Sequence, residues 1–429
     1  MADQRSFSFG DTSVATSVEI KQESPASSGL RGKRVGMVVF SSYPADPRPR
    51  RAAEALLDEG MHLDLICEAD GKLPRRERSG DMEIIRVPIK HYRSGKLSYA
   101  YQYSAFILIS ASILIWRSIR RKYDLIYIHN MPDILVISAL LPKMFGAKVI
   151  LDQHDPMPEL MMTIFNLEER SLPVRVICQL EKWSMACANL VITVNVACKR
   201  IFAARSCAPE KIGIVMNSPD GEIFRYRTAR SYPVPNGARG PFVIMYHGSL
   251  VERNGFDVAV EALARVRKTI PNVELRVFGG RTPFLTQVLE MARTMGLENS
   301  VSYCGPKRLE DLVHEIERCD VGVIPNQRSA FADINTPTRI FEYLALGRPV
   351  IAPRTAGIQD YFDPEALLFF EAGNAEDLAE KITYVYDHCD QAVNVAERGQ
   401  QVYLSHTWKE ERATLVKLVS DLLKGDQPK

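Results

Sequence analysis

Arg339 and Glu342 stand three apart in the run from Thr336 to Ile351 (TPTRIFEYLALGRPVI). On a helix, that spacing puts both on one face. The Asn/Thr cluster around Thr336 can cap a helix, and Pro337 suits its first turn. A helix start offers unpaired N–H groups and partial positive charge, which suits a phosphate. Arg339 can meet that phosphate, and Glu342 can accept hydrogen bonds from ribose hydroxyls. The same pair also reads as a surface ion pair on an ordinary helix. In Tyr246 to Gly255 (YHGSLVERNG), Gly248 permits close backbone approach, and Ser249 and Arg253 follow. Such a turn cradles a diphosphate, or is a glycine turn with a solvated arginine. In Leu151 to Glu159 (LDQHDPMPE), His154 and Asp155 follow an apolar run. Histidine changes charge near neutral pH and serves as general acid or base, although a lone histidine is often structural. Tyr43, Asp46 and Arg48 lie in YPADPRPRR, which reads as a substrate-contacting loop or as a helix cap by Asp46 beside solvated arginines.

These residues carry a family resemblance. The Thr336–Ile351 run resembles the donor-site helix of the family 4 glycosyltransferases, with a P-x-K/R-x-x-E-Y-x-A-x-G-x-P-V pattern. The resemblance implies that Glu342 binds the donor ribose and Arg339 supports its phosphates, with Gly279, Thr336, Pro337 and Thr338 in the same donor site. The segment from Tyr246 is similar to the family's G-x-L-x-x-x-K/R-G loop, which places Gly248, Ser249 and Arg253 on the donor diphosphate. Here the cation stands one residue early, with Asn254 at the usual lysine position. His154 and Asp155 match a strand end that faces the transferred sugar. Tyr43 to Arg51 resembles a D-P-R-V-R-R loop, implying that Tyr43, Asp46 and Arg48 contact the acceptor or donor phosphate. His129 to Asp133 also looks like a family segment, either cleft-lining or structural. One position departs: many members carry a glutamate eight residues before Glu342, where this chain has Ile334, with Asp333 beside it. The resemblance covers roughly Arg34 to Leu423.

Those residues need a scaffold. Short apolar runs alternate with helix-like stretches: Arg34–Phe40, His62–Cys67, Glu83–Val87, Asp124–His129, Lys148–Asp152, Leu190–Val194 and Ile212–Met216 read as strands. Pro47 to Glu59 and Pro132 to Phe145 read as helices. After a Pro/Gly-rich interval the alternation restarts with Phe242–Tyr246, Glu274–Phe278, Val301–Cys304, Val321–Ile324 and Pro349–Ala352. Between these strands, helices are expected over Phe256–Thr269, Pro283–Met295, Leu309–Arg318 and Pro337–Leu346. This is the pattern of parallel sheets covered on both faces. The expected architecture is α/β of the GT-B type, two Rossmann-like domains facing across a cleft. The divisions are a disordered tail (1–32), an acceptor domain (33–217), a linker (218–240), a donor domain (241–405) and a final helix (406–429) crossing back onto the first domain.

Size and composition agree with two soluble domains: 429 residues, 46% hydrophobic, 25% charged. A net charge of +2 makes no case for nucleic acid. The eight cysteines show no zinc or disulfide spacing and read as reduced thiols. Dinucleotide, P-loop and nucleophile-elbow motifs are missing, as is any Asp-x-Asp metal motif. The first 32 residues are polar and Ser-rich, with no secretory pattern. Ala105 to Trp116 (AFILISASILIW) falls short of the roughly 20 apolar residues of a membrane span. Followed by Arg117, Arg120, Arg121 and Lys122, it reads as a core helix with a basic end or as a helix lying on an anionic membrane. The expected activity is transfer of a hexose-type sugar, with retention, from a UDP- or GDP-sugar to a glycan or lipid-linked acceptor in polysaccharide or glycoconjugate synthesis. No metal or resident cofactor is expected, and the location is the cytoplasm or the cytoplasmic membrane face. The competing readings are a GT-B sugar-nucleotide epimerase or hydrolase, and a silent nucleotide-sugar-binding subunit.

Overall fold

Runs of Val, Ile and Leu too apolar for any surface form the centres of two sheets. The computed structural model describes residues 29–89, 96–229 and 240–425, with side chains from residue 101 in the second range. The first sheet holds β1 (Arg34–Ser42), β2 (His62–Glu68), β3 (Arg76–Ser79), β4 (Met82–Val87), β5 (Leu125–His129), β6 (Lys148–Gln153), β7 (Leu190–Thr193) and β8 (Ile212–Ile214). Its order is β3-β4-β2-β1-β5-β6-β7-β8, parallel except for the edge strand β3. The second sheet holds β9 (Phe242–His247), β10 (Val273–Phe278), β11 (Val301–Gly305), β12 (Val321–Val323), β13 (Val350–Pro353) and β14 (Leu368–Phe370). Its order is β11-β10-β9-β12-β13-β14, and every pairing is parallel. In each sheet the strand order reverses beside the first strand, at β1/β5 and at β9/β12. Ligands of such sheets sit at the C-terminal strand ends near that reversal.

Helices flank both sheets, and several differ from expectation. Pro132 to Phe145 is two pieces, a 3-10 helix over Asp133–Ala139 and an α-helix over Leu140–Met144. Pro142 has no N–H to continue a helix, so the second piece starts where the proline falls in its first turn. The run Ala105 to Trp116 is the middle of a 25-residue helix, Lys96–Arg120. It is long and apolar enough to cross a membrane, yet Phe106, Ile107 and Leu114 pack into the core beneath the first sheet. The Arg117 guanidinium pairs with Asp64 at 2.8 Å and Glu83 at 2.6 Å, which ties this helix to the strands.

The last helix, Trp408–Lys424, crosses back: Leu415 and Val419 join the core of Val35, Met37 and Leu63. Of the expected tail, residues 1–28 lie outside the described residues, while Leu30 is buried in that same core. Of the expected linker, 230–239 lie outside them too, and so do 90–95 of the basic loop. The described part of the linker is packed, with Phe224 and Ala229 in the second domain's core and Arg227 N–H on the Ala345 carbonyl at 2.7 Å.

The domains are pinned together near residues 331–338. Asn195 Nδ2 donates to the Ile334 carbonyl at 2.8 Å, and Phe331 N–H to Thr163 Oγ1 at 3.2 Å. Ile334 itself is buried in the apolar cluster of the first domain that contains Val194 and Ala197. The position where the family resemblance leads one to expect glutamate is here a hydrophobic contact between domains.

Candidate active site

Asp152, near the end of β6, is 1% exposed. Arg48 reaches it from the helix Pro47–Asp58, with Nε 3.0 and 3.1 Å from the two carboxylate oxygens and Nη2 2.6 Å from Oδ1. Arg48 Nη1 donates to the Val215 carbonyl at 2.9 Å and Asn217 Oδ1 at 2.8 Å. The Tyr127 hydroxyl donates to Asp152 Oδ2 at 3.0 Å. Burial raises the carboxyl pKa, but the Arg48 charge outweighs it and holds Asp152 well below the usual range. His129 and His154 sit above, their Nδ1 and Nε2 sharing a 2.9 Å hydrogen bond and facing Asp152 Oδ2 at 3.4 and 3.7 Å. Burial pushes the His129 pKa down, against the pull of the Asp152 carboxylate. His154 retains some exposure to the crevice. Asn130 fixes the loop carrying it: Asn130 Oδ1 accepts from His154 N–H at 2.8 Å, and Nδ2 donates to the Asp155 carbonyl at 3.0 Å.

The three residues expected to contact an acceptor do other work. Tyr43 is buried in the core with Ala52 and Leu65. Asp46 caps the helix, accepting from Arg48 N–H at 3.3 Å and the Ser41 hydroxyl at 2.9 Å. The helix starts at Pro47, so Arg48 reaches across the strand ends to Asp152 and is not solvated. Arg51 likewise reaches the Ser218 carbonyl and lies over Trp408.

Beneath the histidines lies Asp133, whose Oδ1 accepts from Asn130 Nδ2 at 3.2 Å while Oδ2 is buried with no partner within hydrogen-bond distance among the described residues, the Gln153 side chain lying nearby. Burial first, and the Glu181 charge second, raise its pKa from 3.8 to about 7. Between pH ~4 and ~7 the folded chain therefore keeps a proton that the unfolded chain has lost, so this group's contribution to stability falls as pH rises. Asp133→Asn keeps the acceptor and removes the charge. It should stabilise the fold by about 2–4 kcal/mol at pH 8 and by far less at pH 4. Urea unfolding at both pH values checks this, and a pH-independent difference would refute it.

The second domain brings its own set to the ends of β9 and β10. Arg339 and Glu342 rise from the helix Thr338–Ala345, whose N-cap is Pro337; the proline thus precedes the first helical residue. Arg339 Nη1 donates to the His247 carbonyl at 2.8 Å, and its guanidinium lies 4.9 Å from the Tyr246 ring centre. Gly248 has φ +125°, and a Cβ there would come within 3.1 Å of Arg339 Nη1. A side chain at Gly279 would run into the Gly248 carbonyl. Gly279 is thus demanded by close approach of the two strand-end loops, and Gly248 by its positive φ. Glu342 Oε2 lies 2.5 Å from His247 Nε2. His247 Nδ1 meets the Tyr343 hydroxyl at 2.9 Å, and that hydroxyl donates to the Met245 carbonyl at 2.9 Å. The hydroxyl must accept from Nδ1, so a proton lies between Nε2 and Glu342. Sequence reasoning missed His247, although it sits inside the YHGSLVERNG motif. Ser249 is exposed on this loop, its carbonyl accepting from Tyr246 and Asn254.

Thr336 and Thr338 are engaged in domain contacts. Thr336 Oγ1 donates to the Gly357 carbonyl at 2.7 Å and accepts from Asn195, while Thr338 Oγ1 donates to the Asn217 carbonyl at 3.3 Å.

The two sets face each other. Burial raises the Asp155 pKa, opposed by His154 on its own loop and by Arg253 of the other domain. The Arg253 side chain makes no hydrogen bond or ion pair among the described residues. It lines a cavity of about 670 Å³ between the domains, with Gln327 and Arg328 on its side and Met162, Thr163 and Ile164 opposite. His129, Asp152 and His154 offer donor atoms within 4.8 Å of one another. They do not fit a metal, because both Asp152 oxygens are taken by Arg48 and Tyr127 and the histidines bond each other. The arrangement can bind an anion on the second domain and present His154 from the first.

Comparison with known proteins follows the same division. Residues 45–218 match the family described as glycosyl transferase 4-like domain, and residues 241–388 match glycosyl transferases group 1. The D-inositol 3-phosphate glycosyltransferase of Corynebacterium kroppenstedtii is 24% identical over 230 residues, covering 50% of this chain and 49% of that protein. The chain thus spans about half the length of the curated relatives it matches. Among solved structures, sucrose-phosphate synthase from Thermosynechococcus elongatus superposes with a TM-score of 0.72 at 18% identity, over 92% of this chain and 100% of that one. Anabaena HepE in complex with UDP-glucose gives 0.64 at 16% identity, over 90% and 99%. At these identities the structural matches show a shared fold. Two matched sequence halves and two facing parallel sheets agree, and the chain belongs to the GT-B glycosyltransferases of the group 1 and 4-like families.

Proposed function

We propose that this chain transfers a hexose-type sugar from a UDP- or GDP-sugar to a glycan or lipid-linked acceptor, with retention of configuration. The observation that carries this reading is the convergence of Arg339, Glu342 and the Gly248 loop at the end of β9, opposite His154. Among the described residues Glu342 Oε1 and Arg339 Nη2 and Nε make no hydrogen bond, which supports the reading that Glu342 accepts from ribose hydroxyls and Arg339 donates to phosphate oxygens. Arg253 adds charge where the leaving diphosphate develops it. His154 then holds the sugar by hydrogen bonding. The structure of the Anabaena relative holds UDP-glucose, which supports a nucleotide-diphosphate donor here. All eight cysteines are free thiols, which suits a reducing compartment, and we place the chain in the cytoplasm.

Calorimetry with UDP and GDP is the first test: a chain that binds neither would sink the reading. Product anomer by NMR tests retention, and donor turnover without acceptor would point to a hydrolase or epimerase. Arg339→Ala should weaken donor binding by about 1.5–3 kcal/mol, the usual worth of a hydrogen bond to a charged group. An unchanged dissociation constant would remove Arg339 from the phosphate site.

A further inference from the structure

We propose that one helical face of the first domain lies on an anionic phospholipid bilayer. Three adjoining segments build it: Lys96–Arg120, the pair Asp133–Ala139 and Leu140–Met144, and Leu172–Cys187. Each keeps one apolar side in the core and turns another outward. On the first, Leu108 is 67% exposed and Ile119 72%; on the second, Met144 is 79%; on the third, Leu172 is 72%. Trp116 on the first segment and Trp183 on the third are exposed as well. An apolar patch drawn from three segments is more than the scattered exposed side chains of an ordinary surface.

Charge selects the partner. Arg120, Arg121 and Lys122 are exposed at the end of the first helix, and Arg175 and Lys182 on the third. The Arg120 guanidinium lies 3.5 Å from the Trp116 ring centre. No acid offsets them on these segments. Lys96–Arg120 contains none, Asp133 is buried, and Glu181 is buried in a pair with Arg205. Glu168 and Glu169 stand only in the loop before Leu172. Aromatic and aliphatic groups interleaved with cations suit the headgroup level of an anionic leaflet. A second copy of this chain would bring the same cations face to face, which disfavours it as the occupant.

The face also leads to the cleft. The helix Met157–Phe165 packs on Leu172–Cys187, its terminal Ile164 and Phe165 are exposed, and Ile164 lines the cavity beside Arg253. Resting on the transfer reaction proposed above, this continuity lets an acceptor whose tail stays in the bilayer present its head group to the cleft.

The test is sedimentation of the full chain with vesicles of phosphatidylglycerol or of phosphatidylcholine, followed by tryptophan emission. Binding to phosphatidylglycerol should be at least ~10-fold tighter, should weaken in high salt, and should shift emission to the blue as Trp116 and Trp183 leave water. A triple variant, Ile119→Glu, Met144→Glu and Leu172→Glu, alters exposed positions only. It should lose at least ~10-fold of that binding and keep its melting temperature and its UDP affinity. Equal binding by the variant, no binding to either vesicle, or a lipid-free dimer abolished by the variant would each overturn the proposal. UDP affinity reports the donor site separately, so failure here is distinguishable from failure of the transferase reading.

Discussion

Arg48→Ala will destabilise the first domain by about 3–5 kcal/mol, the usual cost of removing one partner from a buried ion pair. The variant leaves Asp152, 1% exposed, with the Tyr127 hydroxyl and two imidazoles but no cation in contact. It also strips the Val215 carbonyl and Asn217 Oδ1 of a donor. Arg48→Lys keeps the charge but not the planar fork, so its loss should be smaller. The pH dependence has a definite sign. Because the folded-state pKa of Asp152 is depressed, the wild-type pair's contribution is fully present above the unfolded carboxylate pKa near ~4 and is lost only as pH falls on through the folded-state pKa, well below that. The variant should therefore lose much of its deficit in acid. Urea unfolding of both proteins at pH 7 and at pH ~2 measures it. An Arg48→Ala protein as stable as wild type, with reduced affinity for an acceptor, would return Arg48 to the substrate-contacting role expected from its sequence.

Glu342→Ala should lower kcat/KM by about 10–100-fold, equivalent to the 1.5–3 kcal/mol of a hydrogen bond to a charged group. The effect should appear mainly in donor KM, because ribose hydroxyls keep their positions while the bond to the sugar breaks. Glu342 holds its orientation through His247, itself locked between Glu342 and the Tyr343 hydroxyl. Glu342→Gln preserves an acceptor at Oε1 and should recover part of the loss. Initial-rate kinetics over a donor series decide the matter. A fall in kcat with unchanged KM would instead put Glu342 on the reacting groups.

The parts of this architecture legible in the sequence are those written locally. β1, β5 and β9 are runs of Val, Ile, Leu and Met that no exposed segment would carry, and each appears where the periodicity placed it. The edge strand β3 reads Arg-Glu-Arg-Ser, all four residues exposed, and offered no apolar signal to find. The helix Ala375–Asp387 was not assigned, although Asn374 caps it by accepting from two N–H groups, a signal available in the residues themselves. At the site, Arg339 and Glu342 share a helix face as their spacing requires. The Arg48–Asp152 pair was not legible because its partners lie 104 residues apart, and nothing near Arg48 announces a buried carboxylate. His247 stood in a recognised motif, but its bond to Glu342 exists only once β9 packs against the helix Thr338–Ala345.

The returning helix has a temporal consequence. Leu415 and Val419, near the end of the chain, sit in the same core as Leu30 near its start, and a Cβ on Gly29 would come 3.7 Å from Lys424 Cε. During synthesis the first domain can lay down its strands early, yet part of its apolar surface stays uncovered until Trp408–Lys424 leaves the ribosome. The second domain is translated entirely within that interval. For this protein the first domain to begin folding is the last to be sealed.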